Sequence, residues 1–538
     1  MPSGQLSKEA QDLLDAYKKA LETERNYNSG TEEEKITVHQ VSGKIAFFYE
    51  KLRNTVDYKE EHLLRKNAVE RILKRRIMTE KNEYDVSKFL IYELIRARYL
   101  PDKQIPEKRI EDVRLIIEKY TFLLNKIPDH TVIIGNKEES LFDWIIGIAA
   151  YEIEGVLVPH GEVDAIVDFA RKTMEKKISV REELRISTDT RRELIYVAVL
   201  KNLIKSDLDM IRYKIFVTRH SDWLFAPSED KFTRMAEKME SIAVGIDAVI
   251  NHEYGDNFSR AVKKNLAYFE ILQDVASGHP KDIEHIFSHH YHIEDSIKET
   301  CVKKYRTAQT KLKRSAIRSI AYIFITKVAL ALLIEVPYDK FFEGGVRYST
   351  LLINILFPPL LMALVVLAIK VPSKKNTSLI VTGIESMLYD DDQTPSIQIK
   401  GNIPQNSLFS TVFKLLYLIV FSVSFGGIFY ILKILGFNAI GMFFFIFFIS
   451  VVSYFGARIR KNARELLVVQ QKEGITSFLI DLFIMPIEQV GQWLSVKMSN
   501  INVFVYVLDF IIEAPFKTFV EIFENWIYYV KEEKDKIE

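Results

Sequence analysis

The sequence contains very little cysteine and few of the residues that form tight turns. One cysteine in 538 residues excludes an intramolecular disulfide and any zinc or iron–sulfur site built from several cysteines of one chain. Glycine and proline number 21 and 15, about half of their usual combined share. A protein made of many short strands needs glycine and proline at the turns between the strands. The scarcity of both residues therefore predicts long helices and an all-α protein.

The sequence also lacks the short motifs that mark common catalytic sites. It has no Walker loop, no G-x-G-x-x-G, no G-x-S-x-G elbow and no set of protein-kinase loops. No motif in it belongs to a family with an assigned activity. The residue patterns therefore predict architecture and membrane topology, and they do not indicate a chemical activity.

Charge is balanced over the whole chain but not along it. The chain has 73 basic and 72 acidic residues, yet residues 1–300 hold 47 basic and 53 acidic ones, a net charge of −6. Residues 301–318 hold seven basic residues and no acidic one, and the chain after them is apolar. This order is typical of an integral membrane protein with a cytosolic domain.

Four apolar stretches are long enough, or nearly long enough, to cross a membrane. They run from Ser319 to Val336, from Tyr348 to Ile369, from Leu415 to Leu435 and from Ile440 to Phe455. A hydrocarbon core of ~30 Å needs about 20 helical residues, so the first and fourth stretches are slightly short. We expect a polytopic four-helix membrane region made of two hairpins, 319–371 and 412–456.

Basic residues predict which side of the membrane each segment faces. Three basic clusters, before the first span, after the second and after the fourth, all fall on one side if there are four spans. By the positive-inside rule, both termini and the 372–411 loop are then cytoplasmic. We therefore expect a multi-pass protein of the plasma membrane, with lipid as its first partner.

Residues 1–300 have the alternation of apolar and polar residues that amphipathic helices show, and we expect one large helical cytosolic domain. A basic run in it could in principle meet nucleic acid. Interspersed glutamates and the absence of an RNA-binding signature favour a solvated surface instead, so no nucleic-acid partner is expected. The run comprises Arg65, Lys66, Arg71, Lys74, Arg75 and Arg76.

The C-terminal part, 457–538, returns to apolar patterning interrupted by acidic residues. We expect cytosolic or interfacial amphipathic helices, with Trp493 and Trp526 at the depth of the headgroups. Two alternatives stay open for residues 475–530. The helices could pack on the cytosolic domain or the span bundle, or they could be additional spans.

Lys327 lies near the middle of the first span, where an unpaired charge costs about 2.5 to 3.5 kcal/mol. It therefore needs a partner or a route to water. One hypothesis is that Lys327 lines an ion or substrate path, together with the Pro358–Pro359 break and the Gly426–Gly427 face. The other, which we favour, is that Lys327 faces the bundle interior and pairs locally, for example with a serine or a carbonyl group of a neighbouring span.

Six of the eleven histidines fall between positions 252 and 292. His285 and His289 are four residues apart, a spacing that places both on one helix face and could chelate a divalent metal, with Glu284, Glu294 or Asp295 completing the site. The His-Glu-x-x-His signature of metalloproteases is absent. We expect no cofactor, and we keep His285 and His289 as a weak metal-site hypothesis. Cys301 is expected to be a surface thiol.

Three classes of function fit these patterns. The leading interpretation is a non-enzymatic scaffold that holds its helical domain at the inner membrane face and recruits an unidentified cytosolic protein. A basic juxtamembrane helix, 301–318, would then grip anionic headgroups through its seven charges. The alternatives are a subunit of an oligomeric channel or transporter that uses Lys327, with a possible homo-oligomer, and a membrane-tethered metal-dependent hydrolase. The seven charges are Lys303, Lys304, Arg306, Lys311, Lys313, Arg314 and Arg318.

Overall fold

The structure is a computed structural model, and the prediction of an all-α protein is confirmed. Strands are few and short in the part of the chain that it describes. It describes residues 6–28, 35–38, 61–79, 82–127, 131–134, 137–225, 229–369, 372, 374–389, 397–401, 407–464 and 475–500.

The first part of the chain folds into a helical module. Its helices are α1 (Lys8–Asn28), α2 (Glu61–Thr79), α3 (Glu83–Arg96), α4 (Lys108–Lys126), α5 (Leu141–Leu157), α6 (Gly161–Lys177), α7 (Thr188–Leu203), α8 (Leu208–Arg219), α9 (Glu229–Ile250), α10 (Gly255–Lys263), α11 (Leu266–Gly278) and α12 (Ile283–Ser288). Several of them begin at a side chain that accepts a hydrogen bond from the first turn: Asn82 caps α3, Ser187 caps α7 and Asp207 caps α8.

Helix α5 lies at the centre of the module. It is apolar around most of its circumference, and Trp144, Ile148 and Ile153 are fully buried. A helix that is apolar on all sides needs neighbours on all sides. Helices α2, α4 and α8 supply them, so one continuous core forms around α5.

Two small sheets accompany the helices. Strand β1 (Thr131–Ile134) pairs antiparallel with β2 (Lys137–Ser140). Strand β3 (Ile178–Val180) pairs in parallel with β4 (Ile397–Ile399). The second pair joins residues more than 200 positions apart, and it ties a late segment of the chain to the module.

Most of the other helices that the structure describes form an apolar bundle. It comprises the second half of α13 (His290–Leu330), a π-helical turn (Ala331–Glu335), α14 (Val336–Phe342), α15 (Tyr348–Leu367), α17 (Ser407–Ile434), α18 (Ala439–Arg464) and α19 (Ile475–Asn500). Four segments of the described chain are long and apolar enough to cross a membrane: 290–342, 348–367, 411–434 and 439–461. The four predicted spans are confirmed to this extent, and the helices that carry the first and fourth extend beyond the apolar stretches.

Module and bundle are joined by a continuous helix. Helix α13 starts in the core of the module, where Ile293, Ile297 and Cys301 are buried, and continues into the bundle, where Ile323 and Lys327 are buried. Its 41 residues span about 60 Å at ~1.5 Å per residue. No flexible linker separates the two parts at position 300.

The segment between the second and third spans returns to the module. Helix α16 (Lys374–Tyr389) buries Ile380, Ile384 and Leu388 in the module core, and β4 buries Ile399 there. The Tyr389 hydroxyl donates to the Phe287 carbonyl at 2.7 Å. Residues 372–411, expected as a loop, are therefore in part a structural element of the module.

Helix α16 packs closely on two neighbours. The Asn376 amide donates to the Tyr305 hydroxyl of α13 at 2.9 Å. A methyl group added at Gly383 would lie 2.4 Å from the ring of Tyr268 on α11. Such a close approach is possible only because this position is glycine.

Two expectations about single residues are wrong. Cys301 is not a surface thiol, because it is 0% exposed within the core. The basic run on α2 is only partly solvated, since Arg65 and Lys66 are buried and pair with acidic side chains inside the module. A basic residue next to apolar ones is indistinguishable in sequence from a surface charge until its acidic partner is known.

Helix α19 packs against the bundle. It lies along α18 and contacts α17, where the Ser424 hydroxyl donates to the Phe483 carbonyl at 2.9 Å. A methyl group added at Gly491 would lie 2.0 Å from the Ser450 carbonyl oxygen of α18. For 475–500 the structure thus places the helix on the span bundle, the alternative left open above. Residues 501–538, with Trp526, lie outside the described residues.

Candidate functional site

A group of polar side chains lies inside the apolar bundle, and Lys327 is its first member. Lys327 is 0% exposed, and its Nζ donates to Glu335 Oε1 at 2.6 Å. We call Lys327, Glu335, Asp339, Asn354 and Asn438 the polar cluster. The expectation that Lys327 faces the interior and pairs locally agrees with this geometry, although the partner is a carboxylate of the same helix and not a serine or a carbonyl group.

The π-helical turn brings Glu335 onto the face of Lys327. In an α-helix each residue turns by ~100°, so the residue seven positions after Lys327 shares its face and the residue eight positions after points ~80° away. A π-turn absorbs one extra residue, and this moves Glu335 into the shared position. Pro337 follows at the start of α14. Its ring would collide with the Leu333 carbonyl in a regular α-helix, and the wider turn relieves that contact.

Asn354 of α15 binds the other oxygen of Glu335. Its Nδ2 donates to Glu335 Oε2 at 2.7 Å and to the Gly441 carbonyl at 3.3 Å. Both neighbours are acceptors, so the amide must present its nitrogen to them. The Oδ1 atom of Asn354 points elsewhere and is buried without a hydrogen-bond partner within the described residues.

Asp339 and Asn438 form the end of the cluster nearest the connection between α17 and α18. The Asn438 amide donates to the Asp339 carboxylate, and Asn438 Oδ1 accepts the Gly441 backbone N–H at 2.7 Å. Asp339 is only 7% exposed. We call this end of the bundle, with residues 343–347 and 435–438, the turn end.

Aromatic rings cover the ammonium group of Lys327. Its Nζ lies 5.2 Å from the ring centre of Phe444 and 5.0 Å from that of Phe448, both on α18. A cation over two ring faces gains a favourable electrostatic interaction. The lysine is therefore paired, shielded and closed off from solvent, which suits a fixed structural charge better than the lining of a water-filled path.

Residue patterns singled out one member of this cluster and missed four. Glu335 lies in the predicted first span, and Asp339 lies between the predicted first and second spans. A usable signal was present. Glu335 and Asp339 follow Lys327 by 8 and 12 residues, and Asn354 is a polar residue inside the second span.

The glycine face proposed for a path is not packed against Lys327. Methyl groups added at Gly426 or Gly427 would meet no atom within 4 Å. Helix α17, which carries both glycines, packs on α19 and α18, whereas Lys327 contacts α18. Pro358 and Pro359 are buried within α15, which continues as a helix through both.

The basic juxtamembrane segment lies on the exposed middle of α13. Lys304 pairs with Glu270 and Asp274 of α11 and so belongs to the module. The remaining six are exposed and form no ion pair with any residue that the structure describes. They extend over about 22 Å along the helix at ~1.5 Å per residue. The six are Lys303, Arg306, Lys311, Lys313, Arg314 and Arg318.

The predicted histidine pair is part of a cluster of three. The ring centres of His285 and His289 are 4.9 Å apart, and His292 lies 4.7 Å from the first and 5.6 Å from the second. The described part of the chain nevertheless contains no group of three potential ligands arranged to hold a metal ion.

Two of the carboxylates considered as further ligands are engaged elsewhere. Glu284 pairs with Lys18 at 2.7 Å, and Glu294 pairs with Lys298 at 2.6 Å. Metal binding by His285 and His289 stays a prediction, to be checked by the transition-metal content of the purified chain.

Inside the module, buried ion pairs connect the helices. Arg212 of α8 makes paired hydrogen bonds to Asp247 of α9 at 2.9 and 2.8 Å, and to Glu139 of β2 at 2.9 and 2.7 Å. Burial by itself lowers the pKa of Lys66, but the nearby carboxylates, chiefly those of Asp209 and Asp207, outweigh it and raise that pKa. Lys66 therefore stays charged, and these ion pairs fix α2, α8 and α9 relative to one another.

A second buried carboxylate, Glu152 of α5, accepts three donors. The Tyr120 hydroxyl donates to it at 2.7 Å and the Trp223 indole at 2.9 Å, and Lys119 completes the group. Burial, followed by the charge of Glu152, raises the pKa of Tyr120 well above its ordinary value. Burial lowers the pKa of Lys119 despite its pairing with Glu152. Every donor is directed to one carboxylate, an arrangement that braces the fold.

Comparison with known proteins adds no family or activity. No protein-family model, no curated protein and no solved structure matches the chain.

Proposed function

We propose that this chain is a multi-pass protein of the plasma membrane that holds its helical module at the cytoplasmic face and acts there as a non-enzymatic scaffold for a cytosolic protein partner. The observation that carries the proposal is that the first apolar hairpin both starts and ends in the module. Helix α13 leaves the core before the hairpin, and α16 with β4 rejoins it afterwards.

This double attachment favours a fixed platform over a tethered, freely moving domain. A module on a flexible linker could swing relative to the membrane, whereas one built on a continuous helix and locked by a returning helix keeps its orientation. The hydrogen bond between Asn376 and Tyr305 joins the two attachments directly. Such rigidity suits the presentation of one surface to a partner.

The basic residues support the cytoplasmic orientation and a contact with lipid. Counted from Arg318 along α13, Arg314, Lys313 and Lys311 lie within about 11 Å, whereas Arg306 and Lys303 lie about 18 and 22 Å away at ~1.5 Å per residue. Attraction to anionic headgroups fades within a Debye length of ~8 Å. Arg318, Arg314 and Lys313, which lie within about 8 Å of the start of the apolar segment, would therefore hold headgroups, at about 1 kcal/mol each as an upper value.

A topology experiment tests the orientation in the full chain. We expect a cysteine at Glu343→Cys, exposed at the turn end, to react with a membrane-impermeant maleimide in intact cells. A cysteine at Glu240→Cys, exposed on the module, should react only after permeabilisation. The native Cys301 is buried and should stay silent in both. The reverse labelling pattern would overturn the proposed orientation.

Recruitment is tested by photo-crosslinking from the module surface. The side chains of Tyr84, Leu115 and Leu224 are large, apolar and exposed there, and Leu367 is exposed on the bundle. We expect a crosslinker at one or more of the three module positions to give a discrete protein adduct in cells, and a crosslinker at Leu367 to give none. If no module position yields an adduct, the scaffold proposal fails.

Transport is the competing function, and a flux measurement separates the two. We expect liposomes containing the full chain to show no ion leak above that of empty liposomes, and Lys327→Leu to leave the leak unchanged, because the buried Lys327 is paired and covered. A leak that depends on Lys327 would favour the channel hypothesis.

A further inference from the structure

The polar cluster contains two acidic side chains and only one basic side chain. Lys327 contributes one positive charge, and Glu335 and Asp339 contribute two negative charges when ionised. Within the described residues Glu335 pairs with Lys327, whereas Asp339 forms no ion pair and receives only the Asn438 amide. A buried carboxylate without a cation is costly in an apolar bundle, so a further positive charge is expected beside Asp339.

A second, independent observation comes from another member of the polar cluster, Asn354, which contacts Gly441 as Asn438 does. Asn354 is 1% exposed, and its Oδ1 has no hydrogen-bond partner among the described residues. Turning the amide over would not help, because Oδ1 would then face Glu335 Oε2 and the Gly441 carbonyl, two other acceptors. A buried carbonyl oxygen of this kind needs either a donor or a cation.

The chemistry of these atoms selects a monovalent cation bound by oxygen. Carboxylate and amide oxygens are the ligands of hard cations. One missing positive charge matches one monovalent ion, whereas a divalent ion would leave the cluster with an excess of positive charge. We propose that the polar cluster binds a single monovalent cation of the sodium type at the turn end of the bundle, with Asn354 Oδ1 and the Asp339 carboxylate among its ligands.

Lys327 then acts as a second cation that is permanently attached to the chain. Its ammonium group donates a hydrogen bond to Glu335 Oε1 and lies beneath the rings of Phe444 and Phe448. The inner side of the cluster is thus filled, and the mobile ion enters and leaves only from the turn end, where Glu343 and Arg347 are exposed. The site would bind an ion without conducting it, which is compatible with a scaffold and does not depend on that proposal.

The test is the effect of sodium on the full chain in lipid nanodiscs at constant ionic strength. Choline chloride is exchanged for sodium chloride, and the unfolding temperature and the binding of radioactive sodium are measured. We expect a saturable rise of the unfolding temperature and saturable binding, because a ligand that binds only the folded state stabilises it. Asp339→Asn and Asn354→Leu should raise the half-saturating sodium concentration at least tenfold.

The matched control is Glu343→Gln, which removes an exposed carboxylate four residues beyond Asp339. This variant should change the half-saturating sodium concentration less than twofold. If sodium and choline stabilise equally, or if Glu343→Gln weakens binding as much as Asp339→Asn, the site does not exist as proposed. Stabilisation by acid without any dependence on sodium would show that a proton on Asp339, and not a metal ion, balances the charge.

The site stays testable if Asp339→Asn fails to fold. In the unmodified chain, lithium, sodium, potassium and choline are compared at one concentration. A defined oxygen site should discriminate among the three alkali ions by size. Equal effects of all four would overturn the proposal.

Discussion

Replacing Glu335 by glutamine would leave the ammonium group of Lys327 inside the bundle without a counter-charge. The two atoms that carry the pair lie 2.6 Å apart, which corresponds to an attraction of about 6 kcal/mol at an effective dielectric constant of ~20. The glutamine carbonyl and the two phenylalanine rings recover part of this energy. We therefore expect Glu335→Gln to lower the free energy of unfolding by about 3–5 kcal/mol, the usual cost of breaking a buried pair from one side.

The double variant Lys327→Met/Glu335→Gln should behave differently. It removes both charges, and methionine fills most of the volume of the lysine stem. We expect its free energy of unfolding to lie within about 1.5 kcal/mol of that of the unmodified chain, since an apolar replacement of a buried ion pair is often neutral. A double-mutant cycle then gives a coupling energy of at least about 2 kcal/mol.

The assay is equilibrium unfolding of the full chain in mixed micelles, followed by circular dichroism. Lys340→Met with Glu343→Gln is the control for charge changes in the same segment. Both of these side chains are exposed, and we expect a coupling energy below about 0.5 kcal/mol. A cost below about 1 kcal/mol for Glu335→Gln would refute the reasoning, because it would show that the lysine finds water or another partner.

Three further predictions concern packing and charge elsewhere. Gly383→Ala should displace α16 from α11 and make the buried Cys301 reactive towards maleimide in the folded chain, because the added methyl group has no room. Gly491→Leu should destabilise the bundle by about 2–3 kcal/mol in the same unfolding assay, since its side chain would push α19 away from α18. Burial lowers the pKa of Lys177 from 10.5 to about 8, so a charge on this side chain opposes folding. At pH 7, Lys177→Met should therefore be more stable than the unmodified chain by about 1–2 kcal/mol after allowance for partial exposure. This difference in stability should vanish as the pH rises from 8 past 10.5.

Two glycines serve as controls for the packing variants. An alanine at Gly278 and a leucine at Gly426 would meet no atom within 4 Å of the added Cβ. Gly278→Ala should leave Cys301 unreactive. Gly426→Leu should change the free energy of unfolding by less than about 0.5 kcal/mol. If either control behaves like its test variant, the effect comes from loss of glycine and not from the contact.

The membrane-spanning segments were largely predictable from the sequence because hydropathy and length are local properties. The third and fourth spans begin or end within a few residues of the predicted limits on their shared connection, where Gly436 adopts a positive φ of 81°. The ends that face the module were placed less well, since charged residues such as Arg458 and Lys461 continue the helix of α18 beyond its apolar part.

Of the polar cluster, the sequence predicted only that Lys327 needs a partner or a route to water. The cost of an unpaired Lys327 follows from the apolar residues around it. The choice of Glu335 depends on a π-turn that shifts the helical register, and the contributions of Asn354 and Asn438 depend on how α15 and the start of α18 are placed against α13. A pattern of one chain segment does not contain those distances.

Local residue patterns were enough to predict the helical class, the four apolar segments and the separation into a charged first half and an apolar second half. Each of these follows from the composition of a short window. The packing of the helices, by contrast, was needed to show that α16 and β4 complete the module, that Arg65 and Lys66 are buried, and that Cys301 is in the core. The physical reason is that burial and charge pairing depend on which helices meet, and those contacts join residues far apart in the chain.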